Sequence, residues 1–521
     1  IDNRMEINYK TNLQIRTNYQ KELFQGHNLG LMLGYNEEYW NDRELSAGRM
    51  DRLYPNIIEI DPSLPTTQST GGSSSEEGLR SVIGRVNYSI MDRYLFEFTA
   101  RYDGSSKFSE GNRYGFFPSV SAGWKFSEER FFGGLKDVIY FGKLRASWGA
   151  LGNNSGVGRY EQKETFETTN YILNNGIVQG FSYSKIIDPT FSWESTQVFN
   201  VGLDVGLLNG LIIAEFDYYD RLTTGMIRPS DLSDFLFGYQ PPRVNVGELR
   251  NRGVETTVNY EKRIGDLRIG AKLNFSYNLN RLEQWNEFLS PGNVFLEMPY
   301  QFVYGYESVG LAQSWTEVYN NAFQDNYASP GDVLIKDING DGTIGGEDKI
   351  AYPSKMQRRP TTNASLGGNL GWKGFDFSFF INATAGRYDF WGDNLTTTSP
   401  RDNRFNFSHF HESETWNYQN KDGTMPRLTI SAGDDGGRNG TESSLWLQNR
   451  SFIRLRNIQL GYTLPSNVTN AISLSRVRFY ATVDNLVTLT QWQGVDPEKD
   501  TSGDDFYPLL KSYAFGVNID F

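Results

Sequence analysis

The chain has 521 residues, of which 38% are hydrophobic, and its formal net charge is −12. It contains no cysteine, which excludes disulfides, thiolate metal sites and a cysteine nucleophile, and its acidic balance argues against a nucleic-acid partner. No run reaches the roughly 18 apolar residues of a membrane-spanning helix. The first residues, IDNRMEINYK, are neither an initiator methionine nor a signal peptide, so we expect the chain to begin inside a longer precursor.

Alternation of apolar and polar residues is the dominant pattern along the chain. In LRIGAKLNFSYNL every second residue from Leu267 to Leu279 is apolar, whereas Arg268, Lys272 and Asn274 fall on the opposite face. The same period of two recurs in FDFSFFINA, RVRFYATVDNLVTL and the C-terminal SYAFGVNIDF. A period of two predicts β-strands with one apolar and one polar face, and we expect about 15 of them, the first near residues 4–21.

Short and long connections alternate between these strands. Tight turns are predicted at MDR (91–93), LNG (208–210), GD (265–266) and KG (373–374). Long polar stretches lie at about 44–80, 104–113, 152–191, 223–251, 282–360, 387–448 and 491–509. Soluble sandwiches have shorter strands, and no repeat of propeller length is visible. The pattern is therefore typical of a transmembrane antiparallel β-barrel, whose apolar face meets lipid and whose polar face lines the lumen.

The direction of each strand follows from its connections. Short turns belong on the periplasmic side and long loops outside, so the final strand descends and ends at Phe521. The strand near residues 4–21 also descends, which makes the number of strands odd. Because a complete bacterial barrel has an even number, we expect further strands before Ile1 and expect residues 1–521 to be the C-terminal part of one barrel.

Six segments carry a more specific signal. They are RYLFEFTARYDGSSKFSEGNRYGFFPSVSAGWKFSEERFF (93–132), LRASWGALGNN (144–154), WESTQVFNVGLDVGLLNG (193–210), PGDVLIKDINGDGTIGGEDK (330–349), FIRLRNIQLGYTLP (452–465) and RFYATVDNLVTLTQWQGVDPE (478–498). Together they resemble the SusC/RagA type of TonB-dependent outer-membrane transporters found in Bacteroidota, and the similarity covers nearly the whole chain.

The resemblance implies a barrel of about 22 strands, filled by an N-terminal plug and capped on the extracellular face by a SusD-like lipoprotein. Such transporters import oligosaccharides or peptides with energy relayed by TonB. The sequence departs from the family pattern because it lacks the plug, the TonB-contacting segment and the first barrel strands. We therefore expect the barrel of an importer, embedded in lipid in a Gram-negative, Bacteroidota-like outer membrane.

Two other functions remain open at this point. A SusC-like barrel could serve as a structural subunit of a larger outer-membrane assembly without transporting anything. An open porin is the third possibility, and it predicts conductance from the purified barrel. A plug and a TonB-contacting segment upstream favour import over a structural role, and no residue pattern in the chain identifies the substrate.

One loop carries a metal-binding pattern. VLIKDINGDGTIGGEDKIAY (333–352) has the D-x-N-x-D-G spacing of a calcium loop. The predicted oxygen ligands are Asp337, Asn339, Asp341, Thr343 through its carbonyl, and Asp348. Asp rather than Glu at the last position resembles the dockerin-like variant. We expect a weak structural calcium site within an extracellular loop at 330–350, and the alternative is an Asx-rich turn that needs no ion.

Catalysis has little support in the sequence. There is no G-x-S-x-G and no H-E-x-x-H motif, and the chain has three histidines, so we expect no enzymatic activity. His409 and His411 have a spacing that would place both on one face of a strand, but no third ligand is near them. Ordinary polar loop residues are the better interpretation of this pair.

Tryptophans fall into two groups. Those near predicted strand ends are expected in the interfacial aromatic girdles: Trp124, Trp148, Trp193 and Trp372. Those in the outer loops are expected to pack the loops together, with stacking on sugars as the alternative: Trp315, Trp391, Trp416 and Trp446.

Overall fold

The computed structural model describes residues 2–50, 60, 65–173, 176–230, 238–285, 295–352, 356–391, 409–428, 439–499 and 509–521. Its strands are β1 (Asp2–Phe24), β2 (His27–Arg49), β3 (Gln68–Ile90), β4 (Tyr94–Ser105), β5 (Tyr114–Trp124), β6 (Ile139–Asn153), β7 (Phe166–Leu173), β8 (Gly176–Tyr183), β9 (Glu194–Leu207), β10 (Ile212–Thr224), β11 (Ile227–Pro229), β12 (Arg243–Asn245), β13 (Glu248–Ile264), β14 (Leu267–Gln284), β15 (Tyr304–Tyr306), β16 (Ser308–Leu311), β17 (Val333–Ile335), β18 (Lys349–Ala351), β19 (Thr362–Trp372), β20 (Phe375–Ala385), β21 (Tyr388–Phe390), β22 (Leu447–Asn449), β23 (Phe452–Thr463), β24 (Arg476–Thr490) and β25 (Ser512–Asp520).

Helical structure is limited to short segments. The α-helices are α1 (Trp315–Asn320), α2 (His409–Glu414) and α3 (Ser466–Ala471). Single 3₁₀ turns or short 3₁₀ helices occur at Pro65–Thr67, Glu110–Asn112, Phe126–Glu128, Arg130–Leu135, Leu208–Gly210 and Gly346–Asp348. Across the residues placed by the structure, no helix has the length and apolar character needed to cross a membrane.

Fifteen strands form one large sheet. Their order is β1-β2-β3-β4-β5-β6-β9-β10-β13-β14-β19-β20-β23-β24-β25, so each strand lies beside its nearest sheet neighbour in sequence. The pairs are antiparallel, which is the arrangement expected for a chain of hairpins and loops. The remaining strands form five two-stranded sheets in the described parts of the loops. The predicted all-β antiparallel architecture of about 15 strands is confirmed.

The register separates an apolar face from a polar face. Leu273 on β14 lies opposite Val258 on β13 and Leu366 on β19. Its neighbour Asn274 lies opposite Thr257 and Ser365 on the same two strands. Because apolar residues meet apolar residues across the strands, the alternation predicted from the sequence extends over the sheet as a whole. We call the two surfaces the apolar outer face and the polar inner face.

The predicted tight turns all join paired strands of the sheet. Each turn contains at least one residue with positive φ, for example 50° and 54° at Met91 and Asp92, and 43° and 90° at Lys373 and Gly374. Two of the turns, at 265–266 and 373–374, are two-residue hairpin loops, in which positive φ matches the right-handed twist of the paired strands. At Gly374 an added Cβ would lie 2.6 Å from the backbone oxygen of Thr463, so this turn requires glycine.

The loop predicted at residues 44–80 was too long. In the structure β2 continues to Arg49 and β3 begins at Gln68. The two strands pair without interruption from His27 opposite Ile90 to Arg49 opposite Gln68. Alternation ends earlier than the strand because both faces meet water beyond the bilayer, whereas the backbone ladder still satisfies the N–H and C=O groups.

Close hydrophobic packing lies in the long loops rather than in the sheet. The loops after β4, β6 and β10 share loop core A, formed by Phe108, Val157, Phe191 and Ile227 with Trp193 packed against them. The loops after β14, β20 and β24 share loop core B, formed by Val303, Tyr352, Phe390, Trp391, Met425, Trp446 and Trp492. Each core ties three loops together, so these loops have defined structures of their own.

Candidate functional site

The polar inner face carries preformed ion pairs. Arg145 on β6 donates two hydrogen bonds to Asp217 on β10, both at 2.7 Å, and one to Asp204 on β9 at 2.9 Å. The guanidinium group crosses Gly202, where an added Cβ would lie 2.5 Å from Cζ of Arg145. Bidentate pairing holds both charges in a fixed geometry. The arginine is therefore neutralised within the wall of the sheet.

A second group of arginines fastens the loop after β24 to the inner face. The Arg454 side chain is 3% exposed and donates to Asp496 and to Glu498, each at 2.8 Å. Arg456 donates to both carboxylate oxygens of Glu498 at 2.5 Å. Removing one partner of such a buried pair leaves an uncompensated charge, so the start of this loop is firmly attached.

Two of the cavities in the structure open along the polar inner face. One of about 760 Å³ lies against β1 to β6 and β9, and its lining includes Glu22, Glu97 and Arg145. The other, of about 410 Å³, lies against β13, β14, β19 and β20, with Glu498 at its edge. Both have the size of small-molecule sites, and their linings are rich in hydrogen-bonding groups. The inner face can therefore hold a hydrophilic solute.

The predicted calcium loop is a dense network of aspartate-to-backbone hydrogen bonds. The two carboxylate oxygens of Asp337 accept from the N–H groups of Gly340 at 2.6 Å and Gly342 at 2.8 Å. Asp341 accepts from the N–H of Thr343 at 2.7 Å and from its hydroxyl at 2.8 Å. These bonds, led by the Thr343 N–H, hold the pKa of Asp341 below its usual value.

Asp348, the last residue of the calcium motif, is hydrogen-bonded to backbone N–H groups within the loop. It is fully buried and accepts hydrogen bonds from the N–H groups of Ile338, Asn339 and Gly345. Burial raises the pKa of Asp348, but the three backbone donors outweigh it and the pKa lies below its usual value. The oxygen donors suit calcium. Within the described residues no group of three or more His, Cys, Asp and Glu is spaced to hold a metal ion, so calcium stays a prediction.

The tryptophans of the outer loops mainly pack the loops together, as predicted. Trp391, Trp416 and Trp446 are 5%, 3% and 4% exposed, and two of them belong to loop core B. Trp315 differs, because it is 49% exposed on α1 and stacks against Tyr319 with ring centroids 6.0 Å apart.

The girdle prediction was wrong for one tryptophan. Trp148 and Trp372 project from the apolar outer face, where lipid would cover them. Their side chains are 39% and 53% exposed on that face. Trp193 instead packs against loop core A, and its indole N–H donates to the carbonyl of Arg113 at 3.0 Å. It precedes β9 by one residue, so it lies in the loop region and not on the strand that would point it towards lipid.

The histidine pair lies on helix α2 and not on a strand. The side chain of His409 is 91% exposed and lies 3.4 Å from Glu412, whereas His411 is buried. Residues two apart on a helix point in different directions, so the geometry gives no shared metal site. The interpretation as ordinary polar loop residues is consistent with this placement.

One known family shares this architecture, in which a sheet has a polar inner face, an apolar outer face and long loops at one end. The family model described as TonB dependent receptor-like, beta-barrel matches residues 2–486. The chain belongs to this family. The predicted SusC/RagA resemblance is confirmed, and family membership makes the chain an outer-membrane protein whose curated relatives are TonB-dependent receptors.

Curated relatives support the same assignment. TonB-dependent receptor P3 of Formosa agariphila is 30% identical over 100% of this chain and 52% of its own length. TonB-dependent receptor SusC of Bacteroides thetaiotaomicron is 29% identical over 98% of this chain and 50% of its own length. The chain thus spans about half the length of these relatives.

A solved structure shows the same fold. The RagAB peptide transporter superposes with a TM-score of 0.82 at 22% identity, covering 100% of this chain and 56% of that chain. At this identity the similarity supports the sheet architecture and carries no information on substrate.

Proposed function

We propose that this chain forms the barrel wall of a TonB-dependent outer-membrane importer of oligosaccharides or peptides. The observation that carries the proposal is a sheet with an apolar outer face and a polar, cavity-bearing inner face, in a chain matched by the family model over residues 2–486. A hydrophilic solute crossing hydrocarbon needs such a polar path, because unsatisfied polar groups in lipid cost several kcal/mol each.

The partners belong to the same proposal. SusC of Bacteroides thetaiotaomicron and the RagAB peptide transporter motivate a SusD-like lipoprotein on the loop-bearing, extracellular face. The two loop cores offer that partner an ordered surface of six loops. TonB would supply the energy through a plug segment, in a Bacteroidota-like outer membrane.

Calcium is a further part of the proposal. An ion held by Asp337, Asn339, Asp341, Thr343 and Asp348 would be structural. Phe323 exchanges backbone hydrogen bonds with Gly342 and Ile344, each at 2.8 Å, and so links this loop to the segment that follows α1. An ordered loop would therefore also fix the position of α1 on the extracellular surface.

The test is a strain lacking the gene, complemented with an affinity-tagged copy. An importer predicts lost growth on one defined oligosaccharide or peptide source, and co-purification of a surface lipoprotein with the tagged protein. A structural subunit predicts unchanged growth on every such source together with loss of other outer-membrane proteins. The latter result would reject import.

A further inference from the structure

The connection between β5 and β6, residues 125–138, lies at the short-turn end of the sheet but is not a tight turn. It contains the 3₁₀ helices Phe126–Glu128 and Arg130–Leu135. The carbonyl of Val138 at its end accepts a hydrogen bond from the N–H of Leu208 at 2.8 Å, which fixes the segment beside the next turn at the same end. Short turns belong on the periplasmic side of a barrel, so this folded segment lies at the level of the periplasmic leaflet.

The segment folds back onto the apolar outer face. Alternation along β6 places Gly142 on that face, and an added Cβ there would overlap the ring of Phe126. The Phe126 ring packs against Trp124 and Phe132 with centroid distances of 6.0 and 5.2 Å. The Phe131 ring lies 6.4 Å from that of Trp124. These rings form an aromatic cluster on the side of the sheet that faces lipid.

Glu129 indicates where water begins. Its carboxylate accepts hydrogen bonds from the Tyr94 hydroxyl at 2.6 Å and from the Trp124 indole N–H at 3.2 Å, and it lies 3.6 Å from Arg93. Tyr94 and Trp124 lie opposite each other at the ends of β4 and β5. Tyrosine and tryptophan at a membrane interface direct their polar tips to the headgroups. The ring of Phe131, beside Trp124, therefore lies at the edge of the hydrocarbon.

The exposed apolar side chains of the segment share one side. Phe131, Leu135 and Val138 are 72%, 53% and 54% exposed. Their spacing of four and three residues is that of the apolar stripe of an amphipathic helix. Large apolar side chains grouped at one surface mark a contact site rather than scattered exposure. Some apolar partner must therefore cover this stripe.

The charges beside the stripe suit a phosphate surface. Glu128 lies 3.8 Å from Lys136, so these two charges offset each other. Lys125 and Arg130 have no carboxylate partner within the part of the chain that the structure describes, and Asp137 is exposed. Long basic side chains at an interface bury their stems and extend their charged ends to the headgroups.

We propose that residues 125–138 form an interfacial anchor, which inserts Phe131, Leu135 and Val138 into the phospholipids of the periplasmic leaflet. Continuity with the apolar outer face identifies lipid as the occupant, because the aromatic cluster joins the two surfaces. An amphipathic segment of this kind lies in the plane of the interface with its apolar side in the acyl boundary. The inference needs only the outer-membrane location and is independent of what the barrel imports.

The test is the depth of single spin labels on the purified full chain, reconstituted into vesicles of phosphatidylethanolamine and phosphatidylglycerol. Residues 1–521 contain no cysteine, so one introduced cysteine there carries one label. Phe131→Cys and Leu135→Cys report on the stripe. Asp137→Cys, in the same segment, and Asp266→Cys, in a tight turn at the same end, are the matched controls. Electron paramagnetic resonance measures collisions with oxygen, which enters lipid, and with a nickel chelate, which stays in water.

We expect the ratio of oxygen to nickel collisions to be several-fold higher at positions 131 and 135 than at positions 137 and 266. Heat-modifiable mobility on gels confirms folding of each variant, and Leu135→Cys gives the answer alone if Phe131→Cys does not fold. Nickel access at 131 and 135 equal to that at 266 would overturn the anchor and assign the stripe to a periplasmic protein. Oxygen preference at 137 as well would overturn the separation of apolar and charged sides.

Discussion

Adjacent residues on β20 face different environments, with lipid on the outer side of the sheet and water on the inner side. Phe379 lies near the middle of the strand on the apolar outer face, and Ser378 is on the polar inner face. We predict that Phe379→Arg destabilises the folded barrel by about 2–4 kcal/mol, because arginine at that depth must enter lipid. Phe379→Leu should be tolerated.

The matched control for this prediction is Ser378→Arg, which adds the same charge one residue away. It should fold normally, because its side chain reaches the aqueous side. Urea titrations of the protein refolded into lipid vesicles measure both variants. Equal destabilisation by arginine at the two positions would contradict the assignment of faces.

A second prediction at the residue scale concerns the aspartates of the calcium loop. Lys336 and Lys349 flank the loop and offer trypsin sites at its two ends. We predict that millimolar calcium slows cleavage there, because an ion relieves the repulsion between Asp337, Asp341 and Asp348. Mass spectrometry of the trypsin fragments with calcium or with a chelator measures the effect.

Variants sharpen the calcium test. Asp341→Ala should abolish protection by calcium. Asp325→Ala should not, because Asp325 accepts a hydrogen bond from the N–H of Tyr327 in the same long loop but lies outside the motif. Calcium protection that is identical in the wild type and in Asp341→Ala would remove the proposed site.

The C-terminal strand supports an element-scale prediction. β25 pairs with β24 from Ser512 opposite Asp484 to Asp520 opposite Arg476. Deleting FGVNIDF would leave the backbone groups of β24 from Arg476 to Ala481 without these partners, at several kcal/mol for each unsatisfied group in lipid. We predict loss of heat-modifiable protein from the outer membrane, seen by comparing unboiled and boiled samples on gels. Normal amounts of folded protein would contradict this role of β25.

Element types were more predictable than element lengths. Alternation of apolar and polar residues identified the two faces of β14, β20, β24 and β25. Successive side chains of a strand point to opposite faces, so in a strand between lipid and lumen they alternate between the two environments. It could not locate the upper ends of β2 and β3, since both faces of these ends meet water. Trp193 was misassigned for a related reason, because a residue beyond the strand end is positioned by loop packing.

At the scale of the whole molecule, the sequence predicted the sheet and the positions of its long loops, but not which loops pack against one another. Loop cores A and B unite residues far apart in the chain, such as Val303 and Trp492, and no periodic pattern marks such contacts.

The most direct test of the proposed importer is energised uptake in cells. Radiolabelled nutrient from the growth screen is supplied to cells with the gene, without it, and with the gene plus a protonophore that removes the energy delivered through TonB. The proposal predicts accumulation only in energised cells carrying the gene. Equal accumulation with and without the gene would contradict import, and uptake that the protonophore leaves unchanged would contradict TonB dependence.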